Sequence, residues 1–233
     1  MRRAVLGISS VLALFANAGT ATAEQPREAR KLEPTSKWVL GYYDERCTLL
    51  RNFGSGDDSV QLQIDSFGSW TGFRLTVSGK AVLKSYSPTG KGTYRLTGDP
   101  QVRDEDWLQG TNDKDKLPAV TFGLAFLPYP ERERWDKMSD KEKREQTPQL
   151  HGRPAYERSI DTIRIDFRHG PPFELHVGGM DVPLKEMRKC VDDLYKTWGL
   201  DPAQQQSITR CAEPLPLTIR RVQQGYPGRK RMN

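Results

Sequence analysis

His169 and His176 are the residues of this sequence whose types and spacing could do chemistry. His176 sits in the strand-like run Phe173 to Val177, on the face opposite Phe173, Leu175 and Val177, and His169 sits in the turn before it. If the chain doubles back here, the two imidazoles and a carboxylate such as Asp166 could share a metal or relay a proton. No third ligand falls in register with them, and a solvated strand histidine is the simpler reading. The third histidine, His151, stands apart in a charged stretch. Gly54-Ser-Gly-Asp-Asp-Ser59 has a glycine-rich loop's composition but precedes a strand; a phosphate cradle needs the free amides of a helix start. Asp57 and Asp58 lack the regular oxygen spacing of a calcium loop, so a hairpin turn is the reading there. Past the leader there is neither a Gly-x-Ser-x-Gly elbow nor a zinc-protease helix motif. Asp192 and Asp193 are adjacent on a helix, about 100° apart, and cannot act as a facing pair. Trp38, Trp70, Trp107, Trp135 and Trp198 could line a pocket, but core or rim places explain most of them.

The elements that would position these residues are mostly strands. The one long helix signal is Leu184 to Trp198, where Leu184, Met187, Val191, Leu194 and Trp198 recur at helical spacing on one face. Cys190 lies beside Met187 and Leu194 on that side. Asp181 with Pro183 reads as the start signal and Gly199 as the left-handed stop, with Leu200 folding back. Elsewhere apolar and polar residues alternate. Val60, Leu62 and Ile64 form one such run, Phe73, Leu75 and Val77 another, and Ile163, Ile165 and Phe167 a third. Lys37–Tyr43, Cys47–Leu50, Lys80–Tyr86, Gly92–Leu96 and Ala119–Tyr129 read as further strands, and Gln101–Leu117 as a charged connection. Ser159 to Val177 reads as a hairpin leading straight into the helix. The expected fold class is therefore α+β: a β-rich antiparallel sheet, or curved sandwich, with one C-terminal helix packed across it. The domain would span 37–200, after a flexible lead-in at 24–36 and before a loop-like basic tail at 201–233. A charged insertion at about 130–150 carries a capping box, Ser139 with Glu142.

Composition sets the setting. Arg2 and Arg3, an apolar run from Ala4 to Phe15 and Ala21-Thr-Ala23 make residues 1–23 a signal peptide, cleaved near Ala23, and place the product in the periplasm or outside the cell. The apolar run is short of the roughly 20 residues of a membrane span. Net charge is +6, yet seven of the 36 basic residues (Arg2, Arg3, Arg220, Arg221, Arg229, Lys230, Arg231) sit at the ends without an acid. The body between them carries 29 basic and 30 acidic residues and is neutral. A nucleic-acid surface is not expected; only Arg229, Lys230 and Arg231 could touch an anionic surface. Three cysteines, Cys47, Cys190 and Cys211, leave one over after pairing in an oxidising compartment. Spacing admits both Cys47–Cys190 and Cys190–Cys211. No zinc-ligand spacing accompanies them, and no cofactor is expected.

Three stretches together carry a resemblance. They are Ser36-Lys-Trp-Val-Leu-Gly-Tyr-Tyr-Asp-Glu-Arg-Cys47 running on to Gly54, Cys190-Val-Asp-Asp-Leu-Tyr-Lys-Thr-Trp-Gly-Leu-Asp201, and Gly225-Tyr-Pro-Gly228. In that order the chain resembles the periplasmic region upstream of the C-terminal domain in sphingomonad-type TonB-like energy-transducer proteins. That group opens with a tryptophan strand and a cysteine, reaches a Cys-x-x-x-Leu helix with a tryptophan, and enters its last domain at a Tyr-Pro pair. The middle third of this chain matches only in character. The sequence stops soon after Tyr226-Pro227, so receptor coupling by a TonB domain is not among the expectations. A secreted protease-inhibitor or invasion-associated β-barrel shares the early Trp-strand-Cys pattern. The resemblance implies an envelope location, a β-rich module closed by a helix, and Cys47–Cys190 as the pair. The expected function is a non-catalytic envelope module that binds a protein or cell-wall partner. The alternative is a secreted hydrolase or small-ligand enzyme built on His169, His176 and nearby carboxylates.

Overall fold

The computed structural model describes residues 27–205, apart from 69–71, 83–84, 100–101, 113–115, 127–132, 135–136, 140 and 143–152. Residues 1–23, read above as a signal peptide, His151, Trp70, Trp135, Cys211, the tail with Arg229, Lys230 and Arg231, and most of the 130–150 stretch lie outside the described residues. Within the insertion, the Ser139–Glu142 capping box is formed. The Ser139 amide donates to the Glu142 carboxylate at 2.8 Å, and the Glu142 amide donates back to Ser139 Oγ at 3.4 Å.

Ten strands are present among these residues: β1 Arg30–Leu32, β2 Val39–Tyr42, β3 Cys47–Phe53, β4 Val60–Ser66, β5 Gly72–Gly79, β6 Thr89–Leu96, β7 Arg103–Thr111, β8 Pro118–Ala125, β9 Thr162–Asp166 and β10 Phe173–His176. The helices whose full bounds lie among the described residues are α1 Pro154–Ser159 and α2 Asp181–Thr197. The strands form one curled sheet in the order β1-β10-β9-β6-β7-β8-β5-β4-β3-β2. The fold is α+β and β-rich, with the long helix packed on the sheet, as the alternation and the helical stripe require.

Register follows the apolar pattern. Leu49 faces Ile64, Ile64 faces Leu75 and Leu75 faces Phe122, so a row of side chains crosses four strands on the inner face. All of them are nearly or fully buried. Trp107 continues that row opposite Phe122. It lies flat over β6, where a side chain on Gly90 would meet its ring at 2.3 Å; the two glycines of Gly90-Lys-Gly92 make room for the indole.

Several expectations need correction. The sheet is mixed rather than wholly antiparallel, because β1 runs parallel to β10. Arg30–Leu32 belongs to the sheet and not to a flexible lead-in, and Leu32 is buried. The supposed charged connection holds β7, whose inward residues are Arg103 and Trp107 rather than aliphatics. Arg103 is tolerated inside because Asp99 takes its Nη2 at 2.5 Å and the Tyr94 hydroxyl lies at 3.3 Å. Burial works against the charged Arg103, and Tyr94 and Asp99 outweigh it, so its pKa is raised. The run from Lys80 is a turn, not a strand: Val82 donates its amide to Gly79 O at 3.2 Å, and Ala81 and Val82 are buried there.

The helix departs from expectation at both ends. It begins a turn earlier, with Met180 as the N-cap residue and no side-chain cap; Asp181 instead accepts Arg158 Nε at 2.8 Å. Leu184, Met187, Cys190, Val191 and Leu194 are buried as the stripe requires, each by about 1.5–3 kcal/mol of apolar transfer for a full-sized side chain. Trp198 is not: it falls one residue beyond the helix, is 40 % exposed, and donates Nε1 to Asp44 O at 2.8 Å. Tyr195 takes the buried aromatic place, its hydroxyl donating to the Gly68 carbonyl. Gly199, at φ +72°, donates to Lys196 O, and Leu200 donates to Tyr195 O. That pair of bonds is the left-handed stop expected from the sequence. Cys190 is joined to Cys47 at the start of β3, across 143 residues of sequence.

Candidate functional site

The curl of the sheet brings its two ends together through one stretch of chain. Arg30–Leu32 pairs with β10, and the residues directly after it pair with the far end of β3. Pro34 bridges Phe53, the Thr35 amide donates to Asn52 O at 2.8 Å, and the Gly54 amide donates to Glu33 O at 2.9 Å. Residues 33–42 thus run beside β3 as two pieces, the 33–35 segment and β2, offset around Trp38. The register changes between them: Pro34 is opposite Phe53, but Val39 is opposite Leu50.

Beyond this point the seam opens. After His176 the chain leaves the sheet and turns at Gly178, whose φ of +67° is a conformation glycine adopts freely. Val177–Gly179 is fixed from behind, with Gly178 N donating to Asp161 O at 3.0 Å and Met180 N donating to Glu157 O at 2.9 Å. β2 stays with β3, while the turn and the first residues of α2 diverge from it. Between them lies a groove of about 430 Å³. Trp38 and Leu40 form one wall, Leu49 and Arg51 the floor, and Val182, Pro183 and Glu186 the helix side.

Arg51 is the one cation in this lining. It occupies the inward phase of β3, where Cys47, Leu49 and Phe53 are buried. Nε donates to Ser36 O at 3.1 Å and Nη1 to Val177 O at 2.5 Å, so the guanidinium spans the seam. It lies over the Trp38 ring at 5.5 Å and the Phe53 ring at 5.8 Å. Burial pulls its pKa below the ordinary arginine value, and no carboxylate among the described residues lies within ion-pair distance of it. Glu186, on the helix side, is taken by Lys189 Nζ at 2.6 Å.

The structure does not gather the histidines. In the β9–β10 hairpin Phe173 is opposite Ile165 and His176 opposite Thr162, whereas His169 is in the turn at the other end. Four residues of strand, about 13 Å, separate the two positions. His176 Nδ1 pairs with Glu33 at 2.7 Å. His169 lies 5.1 Å from the Trp107 ring, with Nδ1 at 2.9 Å from Phe167 O. Asp166 is held by Arg27 Nη2 at 2.5 Å and by the Arg168 amide at 2.6 Å. Asp57 and Asp58 lie in a single 3-10 turn, pairing with Lys80 at 3.7 Å and Arg30 at 3.0 Å. Among the described residues no group of three His, Cys, Asp or Glu side chains is placed to hold a metal ion.

Three other charged clusters have their carboxylates paired internally. Asp65 is fully buried on the outer face of β4 and receives Thr48 Oγ1 at 2.6 Å and Arg74 Nη2 at 2.9 Å. Glu157 is buried between the helices and receives Arg188. Tyr156, whose phenol is pushed up by burial and then by the Asp99 charge, closes the Asp99–Arg103 cluster at 3.3 Å.

Sequence reasoning did not single out Arg51. The signal was present: an arginine in phase with Cys47, Leu49 and Phe53 is a charge on the apolar face of a strand. No family model, no curated protein and no solved structure matches this chain.

Proposed function

We propose that this protein is an exported, non-catalytic module of the bacterial envelope that binds a protein or cell-wall partner in the groove between β2 and α2. The observation that carries the reading is the groove: an open, mostly apolar cleft with one unneutralised guanidinium in its floor. Such a lining buries an apolar ligand surface and fixes its orientation through a single charge. The disulfide supports export, since such bonds persist in oxidising compartments. The resemblance to the upstream region of TonB-like transducers supports the envelope setting. The hydrolase alternative needs His169, His176 and Asp166 in one site, and the hairpin sets the first two apart.

The test is capture from envelope extract with the wild-type protein and with Val182→Glu, beside a panel of hydrolase substrates. Val182 is 64 % exposed on the groove side of the helix, so the variant folds while placing a charge in the cleft. Saturable capture of one component, lost in Val182→Glu, is the expected outcome. Turnover of any substrate that His176→Ala abolishes without unfolding would favour the enzyme.

A further inference from the structure

We infer that the ligand is an extended peptide segment that adds to β2 as an eleventh strand and places a carboxylate on Arg51. This rests on the binding reading above and adds the chemistry of the partner. Among the described residues β2 is the last strand of the sheet, so one of its edges carries backbone groups that none of them pairs. Exposed edges are usually blunted by short length, lysine, proline or a bulge. β2 is short, at four residues, but Val39-Leu-Gly-Tyr42 carries no lysine or proline, and Val39 and Tyr42 are 56 % and 63 % exposed. The open edge also borders the groove. A strand added at the usual 4.7–4.9 Å spacing would send alternate side chains into the cleft beside Leu40, Val182 and Pro183.

Charge selects the rest of the partner. Arg51 uses Nε and Nη1 on the Ser36 and Val177 carbonyls, and among the described residues Nη2 is left to donate. Glu186, the one acid of the lining, is paired with Lys189 on the exposed side of the helix, which leaves Arg51 as the charge in the cleft floor without an acidic partner among the described residues. A peptide carboxylate complements it, whether from a chain terminus or from an aspartate or glutamate side chain. A second copy of this chain does not fit as well, since edge-to-edge pairing through β2 would bring another Arg51, and the Glu186 of that copy is already paired with its own Lys189.

The probe is a library of random hexapeptides tethered by the N-terminus with free C-termini, selected on the purified mature protein. Enriched peptides are then measured in solution as free acids, as C-terminal amides, and with each Asp or Glu replaced by its amide. The expected result is enrichment of peptides with alternating apolar residues and at least a tenfold loss of affinity on removing one carboxylate. Which amide causes the loss identifies the source of the carboxylate. Arg51→Gln should abolish that difference, with Arg51→Lys retaining part of it. Because Arg51 also holds the seam, amide exchange in the unaltered protein is the second readout: bound peptide should slow exchange within Val39–Tyr42 tenfold or more. Failure to enrich any peptide, affinity indifferent to every carboxylate, or protection that spares β2 would overturn the inference. So would a concentration-dependent dimer dissolved by Tyr42→Lys. In each of these cases, Val182-dependent capture from envelope extract would leave the broader binding reading standing.

Discussion

Removing the Cys47–Cys190 bond is the perturbation whose size the structure sets most directly. The bond joins the start of β3 to the middle of α2 and closes a loop of 143 residues. Loop-closure entropy assigns such a crosslink about 5 kcal/mol, an upper figure because residual order in the unfolded chain lowers it. Small domains hold about 5–15 kcal/mol in all, so the loss is a large share. The helix has independent anchorage, however. Leu184, Met187, Val191, Leu194 and Tyr195 are each 6 % exposed or less, and the Tyr195 hydroxyl is bonded to Gly68. The Cys47→Ala, Cys190→Ala double variant should therefore fold with α2 in place. Its stability in urea should fall by about 3–5 kcal/mol, with a slope equal or somewhat steeper because the freed unfolded chain exposes more surface. An unchanged midpoint would refute the assigned pairing. A markedly shallower slope would refute the claim that apolar burial and the Tyr195 hydroxyl hold the helix without the disulfide.

Leu194→Asp puts a carboxylate at a site 6 % exposed, a change costing several kcal/mol, and should yield no soluble folded protein; near-ultraviolet dichroism on any soluble fraction checks it. Tyr195→Phe leaves the Gly68 carbonyl without its donor and should cost about 1–3 kcal/mol in urea unfolding with little change in fold. The Arg158 hydrogen bond holds Asp181 below its ordinary carboxylate pKa of 3.8. A depressed native pKa contributes stability that is present above the unfolded value and lost as pH falls through the native one. Asp181→Asn should accordingly lower the urea midpoint at pH 7 and leave it unchanged near pH 2; an equal effect at both would assign the loss to something other than the charge.

The parts of the fold that were legible are those where one residue type settles one position. Val60, Leu62 and Ile64 alternate cleanly because β4 is buried on one face, and the Leu184 stripe is clean because α2 packs along one side. β7 hid because its inward positions hold Arg103 and Trp107, and Arg103 is acceptable only with Asp99, four residues earlier, folded onto it. β1 hid because a three-residue strand is defined by its partner, and its parallel pairing with β10 spans most of the chain. Val82 misled in the other direction, being apolar and buried within a turn. The groove depends on where β2 and the Gly178 turn diverge, which no local pattern encodes; Arg51 was its only mark in the sequence.

The most direct test of groove binding is amide exchange over the whole protein, with and without a component that the capture experiment on envelope extract would supply. Protection concentrated in Val39–Tyr42, Val177–Gly179 and the first turns of α2 is the result this account predicts. A footprint centred on the outer face around Asp65, or around His169 and Trp107, with the groove unprotected, would contradict it.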